Sequence, residues 1–356
     1  MVPFNETYMR HLPSFASKRP FYLCAMSVLS ASLAGLALPA SAQSSVTIYG
    51  LIDTAVGQYD GPSRGIIMNT GATSRLGFRG TEDLGGGLKA IFQLEHQFNP
   101  DDGSQYNPSA FFSGRSTVGL EGFFGRVTLG REVNASHYVE AGADPFGQDG
   151  LPAGYGARGG ISQANGGPGQ IDTVRTNNSI NWAYTLGAFT FRAQGAMREG
   201  ADPTGNKPYS ASVIYANGPL QLGISTLNPS KVNDNWSYIS GQYDFSVARL
   251  FAGFGEGRNT FDQKMRNGLV GVMVPVGPWQ IKASYSHTEA DGNSIQDRFA
   301  MGAFYYLSKR TIVYGEATND TRAGDYSYGT RGWQPGRTSA VKINGTGYDV
   351  GLRHYF

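Results

Sequence analysis

Charged side chains recur at alternate positions in the first third of the chain, and apolar side chains occupy the positions between them. In the stretch 74–80, Leu76 and Phe78 share one face while Arg75 and Arg79 share the other. Alternation with a period of two predicts a β-strand. Guanidinium, ammonium and carboxylate groups in such rows can pair with one another or present fixed charge to ions in water.

The residues predicted to share this charged face are of both signs, and the basic ones are more numerous. They are Arg75, Arg79, Lys89, Arg115, Arg126 and Arg131 against Asp53, Glu95 and Glu121. Asp53 lies within an otherwise apolar strand, 45–57. Because a carboxylate that faces water keeps its hydration, we expect Asp53 to need no protein partner. The arginines could instead stabilise the strands by pairing with Glu95 and Glu121, and this alternative stays open.

Other kinds of chemistry find little support in the sequence. The histidines are widely scattered, and no motif brings Ser, His and Asp together. Gly85-Gly86-Gly87 precedes a strand and not a helix, so it predicts a turn and not a phosphate-binding loop. We expect no catalytic residue, no metal and no cofactor.

The alternating stretches come in pairs separated by short turns rich in Gly or Pro. Leu88 to Phe98 repeats the pattern of 74–80 after a link at 81–87, and further pairs follow to the last residue. Fifty glycines oppose long helices, because each costs about 1 kcal/mol relative to Ala inside a helix. About 16 strands are predicted, the number at which a closed barrel encloses water. Two long segments interrupt the pattern, at 132–172 and 320–341.

The first 42 residues differ in kind from the rest. Lys18 and Arg19 precede an apolar run, and Ala40-Ser41-Ala42 follows it. This order is typical of a signal peptide, which we expect to be cleaved after Ala42; the run is short for a membrane anchor, the alternative reading. The predicted mature chain, 43–356, contains no cysteine, and its basic and acidic residues balance. A neutral chain without a basic run gives no support to nucleic-acid binding.

An exported chain of alternating strands is either a secreted all-β protein or a barrel in an outer membrane. In a soluble sandwich, so many polar side chains on the inner face would each need a buried partner. We therefore predict an all-β fold, a 16-stranded antiparallel transmembrane β-barrel, with 43–356 as one domain.

Several segments together also resemble the general trimeric porins of Gram-negative outer membranes, in the branch typical of β-proteobacteria. They occur in the order of that family and span the whole mature chain. They are Ser45 to Gly50, Ser74 to Gly80 with Glu82 to Gly85, Val118 to Leu120 with Phe124 to Arg131, Leu307 to Thr311, and Val350 to His354 before the final Phe356.

The resemblance implies a homotrimer in the outer membrane, in contact with lipid and lipopolysaccharide, with 132–172 folded into the lumen as a constriction. It further implies wall arginines at Arg75, Arg131 and Arg175, opposed by acids of this loop. The acids available are Glu140, Asp144 and Asp149. Phe356 matches the aromatic terminal residue through which the barrel assembly machinery recognises such chains.

The function expected from these features is passive diffusion of ions and small hydrophilic solutes through a water-filled channel. Because basic residues predominate on the predicted inner face, we expect a weak preference for anions. Two other functions remain as alternatives: a surface receptor or adhesin that uses the long loops, and an outer-membrane barrel enzyme.

Overall fold

The structure is a computed structural model that describes residues 45–58, 65–152, 174–197, 208–229, 234–258, 262–321 and 345–356. The predicted signal peptide and most of the segment 320–341 lie outside the described residues. Seventeen strands are present in the described parts. They are β1 (Ser45–Gln58), β2 (Ile66–Asn69), β3 (Ser74–Gly85), β4 (Leu88–Phe98), β5 (Arg115–Gly122), β6 (Gly125–Val133), β7 (Arg175–Leu186), β8 (Phe189–Ala196), β9 (Tyr209–Asn217), β10 (Leu220–Asn228), β11 (Asn235–Asp244), β12 (Arg249–Arg258), β13 (Lys264–Val276), β14 (Trp279–Ala290), β15 (Asn293–Tyr306), β16 (Thr311–Thr321) and β17 (Gly345–Tyr355).

The strands form one closed antiparallel ring. Each strand from β3 to β17 pairs with its neighbours in sequence, and β17 returns to pair with β1. Both β2 and β3 pair with the same side of β1, so they act as one wall strand interrupted at 70–73. The ring is therefore a barrel of 16 wall strands, and the predicted fold class is confirmed.

The two faces of the wall differ as the alternation predicted. Val118 and Leu129, which pair across β5 and β6, are more than half exposed on the outside. Their neighbours Thr117 and Thr128 point inward and are buried. Because each strand repeats this pattern, the outer surface is apolar and the inner surface is polar, as a barrel in lipid requires.

Short turns lie at one end of the barrel. The β3–β4 turn contains Gly85, Gly86 and Gly87 with φ of 83°, 61° and 79°, a left-handed conformation that glycine adopts without strain. The turn at these glycines is confirmed. The predicted link 81–84 is wrong, however, because β3 continues through these residues and pairs with Lys89 to Ile91.

The two strands that close the barrel meet at the end of the short turns. The backbone of Gly50 exchanges two hydrogen bonds with Phe356, at 3.0 and 3.2 Å. The Phe356 ring lies directly over Gly50, where any Cβ atom would clash with it. The terminal residue is thus part of the seam between the first and last strands.

In the described parts of the chain, the segment 134–152 enters the barrel. After β6, Asn134 caps helix α1 (Ala135–Gly142) by accepting a hydrogen bond from the backbone N–H of His137 at 2.9 Å. The segment 134–152 then contacts inward-facing residues from β8 to β17. Two apolar clusters lie between this segment and the wall, one around Val139, Trp236 and Tyr238 and one around Phe146, Phe304 and Tyr314.

No helix in the described residues has the length and apolar character needed to cross a membrane.

Candidate functional site

The interior of the barrel has two sides of different character. We define the open wall as the inward-facing residues of β3 to β8, and the loop-covered wall as those of β9 to β17. Helix α1 packs mainly on β9, β10 and β11. Further along, the Pro145 ring lies where a side chain on Gly271 of β13 would point, and Leu151 lies beside Gly347 of β17. In the part of the chain that the structure describes, the segment 134–152 therefore lies mainly against the loop-covered wall.

Arg115 is the centre of the open wall. Its Nε lies 2.8 Å from Glu132 Oε1, and its two terminal nitrogens donate to Gln93 Oε1 at 3.2 Å and to the hydroxyl of Tyr138 at 2.9 Å. Tyr138 belongs to α1, so this arginine joins the wall to the helix. Glu132 was not among the predicted site residues, and its partner role shows only in the structure.

Arg75 and Glu95 lie beside this group on the inner face. Arg75 is buried and pairs in register with Leu51 and Gln97. Glu95 is opposite Arg115 in the register and accepts a hydrogen bond from the Tyr49 hydroxyl at 3.1 Å.

Charged residues nearer the short turns are more exposed. The guanidinium of Arg79 lies over the Tyr49 ring at 5.5 Å. Arg126 pairs with Glu121 at 3.2 Å, with both side chains about half exposed. Lys89 lies opposite Glu121 in the register. The arginines of the open wall thus differ in their partners. Arg115 and Arg126 each pair with a carboxylate, whereas Arg79 contacts an aromatic ring.

Arg131 lies at the end of β6, and its register differs from that of the other predicted wall arginines. It follows Leu129 by two residues and pairs in register with Ser116, so it shares the outward face of Leu129. Its Nε donates to the Ser113 carbonyl at 2.9 Å and its Nη1 donates to exposed Asn177. Its guanidinium is nevertheless close enough to Arg175 to interact with it electrostatically, so the lumen position of Arg131 stays a prediction.

Arg175, the third predicted wall arginine, begins β7. Its Nε donates to the Gly114 carbonyl at 2.7 Å, and its guanidinium is close enough to Glu95 and Arg115 to interact electrostatically. Asn178, with φ of 50°, accompanies a register shift between β6 and β7. The structure therefore groups Arg175 with Glu95, Arg115 and Arg131.

Asp53 has the opposite environment from the one expected. It is fully enclosed and accepts hydrogen bonds from Arg353 Nε at 2.6 Å, the Tyr314 hydroxyl at 2.5 Å and the Ala72 backbone N–H at 2.6 Å. The prediction that Asp53 lines the pore without a partner is wrong. The strand interruption at 70–73 covers this position, because the carboxylate lies where a side chain on Gly71 would point, so the carboxylate needs an ion pair.

Two of the predicted loop acids also do not face open space. Glu140 is fully buried and accepts a hydrogen bond from Ser136 at 2.7 Å. Asp144 is buried and accepts the backbone N–H groups of Phe146 and Gln148, both at 2.9 Å, which fixes the turn after α1. The prediction that these two acids oppose the wall arginines is therefore wrong.

Asp149 is partly buried, and its charge acts on the loop-covered wall. It is close enough to Lys282 and Arg353 to interact with both electrostatically. The ammonium of Lys282 lies 4.5 Å from the centre of the Phe304 ring. The remaining loop acid thus balances cations of its own side and not those of the open wall.

Small side chains on the loop-covered wall make room for α1. Ser210 Oγ accepts the backbone N–H of Ala135 at 2.9 Å, and Ser225 Oγ lies 2.9 Å from Ser136 Oγ. A Cβ atom on Gly223 would lie 2.9 Å from Val139, too close for the helix. The row of inward Ser and Gly on β9 to β11 was visible in the sequence and could have predicted where the loop packs.

Arg192 on β8 is a second residue that the sequence analysis left out of the site. Its guanidinium lies over the Tyr138 ring at 4.2 Å. In the described parts of the chain no ion pair joins it to a carboxylate, and its Nη1 is buried without a hydrogen-bond partner. Arg115 and Arg192 thus contact the same tyrosine, with Glu132 as the carboxylate bound to Arg115.

Among the described residues, no group of three or more His, Cys, Asp or Glu side chains is arranged to hold a metal ion.

The fold and this interior define a class of protein: an antiparallel barrel with an apolar outer surface, a charged inner surface and a loop that narrows the interior. The sequence profile of the Gram-negative porin family matches residues 28–325. The outer membrane porin protein 32 of Delftia acidovorans is 34% identical over 94% of this chain and 99% of its own. An outer membrane porin protein of Bordetella pertussis is 29% identical over 92% of this chain and 98% of its own.

Solved structures agree with the sequence relatives. The anion-selective porin from Comamonas acidovorans matches 88% of this chain and 100% of its own, with a TM-score of 0.70 and 30% identity. The trimer form of OmpT from Vibrio cholerae has a TM-score of 0.64 at 16% identity over 88% of this chain and 99% of its own, which shows the fold alone. The chain belongs to the Gram-negative porin family. It is a channel-forming barrel of the outer membrane.

Proposed function

We propose that this porin carries small hydrophilic solutes by passive diffusion with a preference for anions, and that the open wall is the source of the preference. The observation that carries the proposal is the placement of the charges: Glu140 and Asp144 are buried in the loop, while the open wall carries Arg75, Arg79 and Arg192, of which Arg79 is exposed. A surplus of fixed positive charge in a narrow aqueous gap favours anions over cations. The anion-selective relative from Comamonas acidovorans supports the proposal.

Arg75 and Arg175 are proposed as wall residues of the constriction, together with Arg115. All three are grouped around Glu95 at the level where α1 leaves the wall. Asp149 remains the loop acid of the constriction region, although it acts on Lys282.

The remaining expectations concern assembly. We propose export by a signal peptide cleaved after Ala42, assembly as a homotrimer in contact with lipid and lipopolysaccharide, and recognition by the assembly machinery through Phe356. The place of Phe356 at the exposed seam with Gly50 supports the last point. We propose no catalytic role, because the charged residues of the described interior pair in the manner of a channel wall.

A planar bilayer experiment tests the proposed function. Purified trimers should open in groups of three conductance steps, and a potassium chloride gradient should give a reversal potential of the sign expected for chloride preference. A cation-selective reversal potential would contradict the anion preference, and a barrel with no conductance would contradict the channel itself.

A further inference from the structure

Arg192 is the most unusual charged residue of the interior, because its position leaves it short of partners. It pairs in register with Ser212 of β9, and both point inward. Arg192 Nη1 and Ser212 Oγ are each enclosed, and neither has a hydrogen-bond partner among the described residues. A buried donor without an acceptor is costly, and such groups in native proteins usually mark an ion or water that completes them.

The charges around this pair favour an anion over a water molecule. Arg115 and Arg192 both contact Tyr138 and are close enough to repel each other. Glu132 lies 2.8 Å from Arg115 and is close enough to Arg192 to interact with it electrostatically, so the two guanidiniums share this one carboxylate. One positive charge therefore remains beside Ser212, in surroundings where water screens it poorly.

The register places the two unpartnered groups on neighbouring strands. Cross-strand partners in an antiparallel pair have Cβ atoms about 4.5–5.5 Å apart, so Ser212 and the Arg192 side chain leave the wall side by side. The Tyr138 ring covers one face of the Arg192 guanidinium, and the ring does not cover the edge that carries the N–H groups. Two donors that converge from neighbouring strands suit one small inorganic anion, such as chloride.

We propose that Arg192 and Ser212 form a binding subsite for one small inorganic anion at the base of α1, where a permeating ion pauses. This subsite rests on the proposed anion-conducting function, and it assigns to Arg192 a role beyond its share of the lumen charge. Because a channel with a binding step is limited by release of the ion, its conductance should level off as the salt concentration rises.

Single-channel conductance of the purified trimer in increasing potassium chloride tests the subsite. We expect the wild-type conductance to saturate, and Arg192→Gln to raise the half-saturating chloride concentration about tenfold. Ser212→Ala should raise it about two- to threefold, because a neutral hydrogen bond contributes less than a charged one. Arg192→Lys should keep the reversal potential but still raise the half-saturating concentration, since an ammonium lacks the guanidinium edge.

Arg79→Gln is the matched control, because it removes the same charge from an exposed lumen position outside the subsite. It should lower anion preference and leave the half-saturating concentration unchanged. Linear wild-type conductance, or equal effects of Arg79→Gln and Arg192→Gln on saturation, would overturn the subsite. Neither result would affect the anion preference itself. A cation-selective reversal potential of the wild type would refute that preference separately. Heat-modifiable migration of each variant in gels shows that its barrel is folded.

Discussion

The open wall and the loop-covered wall have the same strand geometry and different electrostatics. On the loop-covered wall the enclosed arginines are matched with acids: Arg298 binds Asp320 through two hydrogen bonds of 2.7 Å, and Arg353 binds Asp53. On the open wall, Arg79 and Arg192 lie against tyrosine rings. Enclosure explains the acid partners of Arg298 and Arg353 and the aromatic contact of exposed Arg79, since a covered charge needs a partner and a charge in water does not. Arg192 is the exception, because its Nη1 is enclosed without a hydrogen-bond partner among the described residues.

The comparison also separates two roles for inward charge. Paired charges under the loop join neighbouring wall strands, while the surplus charges on the other side are the ones we propose to act on ions. Four substitutions test this division. Each is compared with a control that changes the same kind of side chain at a position with different surroundings.

The largest effect is expected for Asp53→Asn, which leaves Arg353 enclosed without its carboxylate. Breaking a buried pair costs about 3–5 kcal/mol, so the variant barrel should unfold at clearly lower denaturant concentration. The control Glu121→Gln breaks the exposed pair with Arg126 and should cost less than about 1 kcal/mol. Denaturant unfolding of detergent-solubilised trimers, followed by gel mobility, measures both. Equal losses would show that enclosure does not distinguish the two walls.

Phe146→Ala should release the loop tip, residues 144–151, from the loop-covered wall. The ring packs against Phe304 at 6.2 Å between centres, and loss of a buried Phe costs about 3–5 kcal/mol. We expect increased current noise and protease cleavage within 144–151. Phe123→Ala, in an exposed turn, should change neither. A quiet and protease-resistant Phe146→Ala channel would mean that Glu316, which accepts the Leu151 N–H at 3.1 Å, holds the tip by itself.

Arg75→Gln should weaken the anion preference, because it removes an inward charge from the open wall. A unit charge at about 4 Å contributes about 1 kcal/mol in water, which corresponds to a change in the permeability ratio of at most roughly fivefold. Arg131→Gln removes the same charge from a position in register with the outward face and should shift the reversal potential less. A similar shift for both variants would place the charge of Arg131 on the lumen side.

The smallest effect is expected for Glu132→Gln, which frees Arg115 from its carboxylate and should strengthen the anion preference slightly. Glu140→Gln changes the same functional group behind α1 and should have no measurable effect on the reversal potential. The two variants are compared in the same salt gradient. A larger shift for Glu140→Gln would place its carboxylate on the ion pathway.

The architecture was readable in the sequence because each strand carries its own information. Alternation of apolar and polar residues determined the strands, the face of Arg75 and Arg115, and the number of wall strands. The same rule, applied strictly, groups Arg131 with Leu129 and not with the lumen residues. Helix α1 was missed although Asn134 is a typical cap residue, because eight residues are too few for a clear helical period.

Sequence alone thus determined the barrel, its membrane and the sign of its surplus charge, since all three follow from which side chains alternate along each strand. Tertiary structure decided which charges are covered: 134–152 turns Glu140 and Asp144 away, encloses Asp53 with Arg353 and leaves Arg192 beside Tyr138. No local sequence pattern predicts which charges the loop covers, because burial depends on contacts between residues far apart in the chain. Burial in turn determines whether a charge is paired or available to ions.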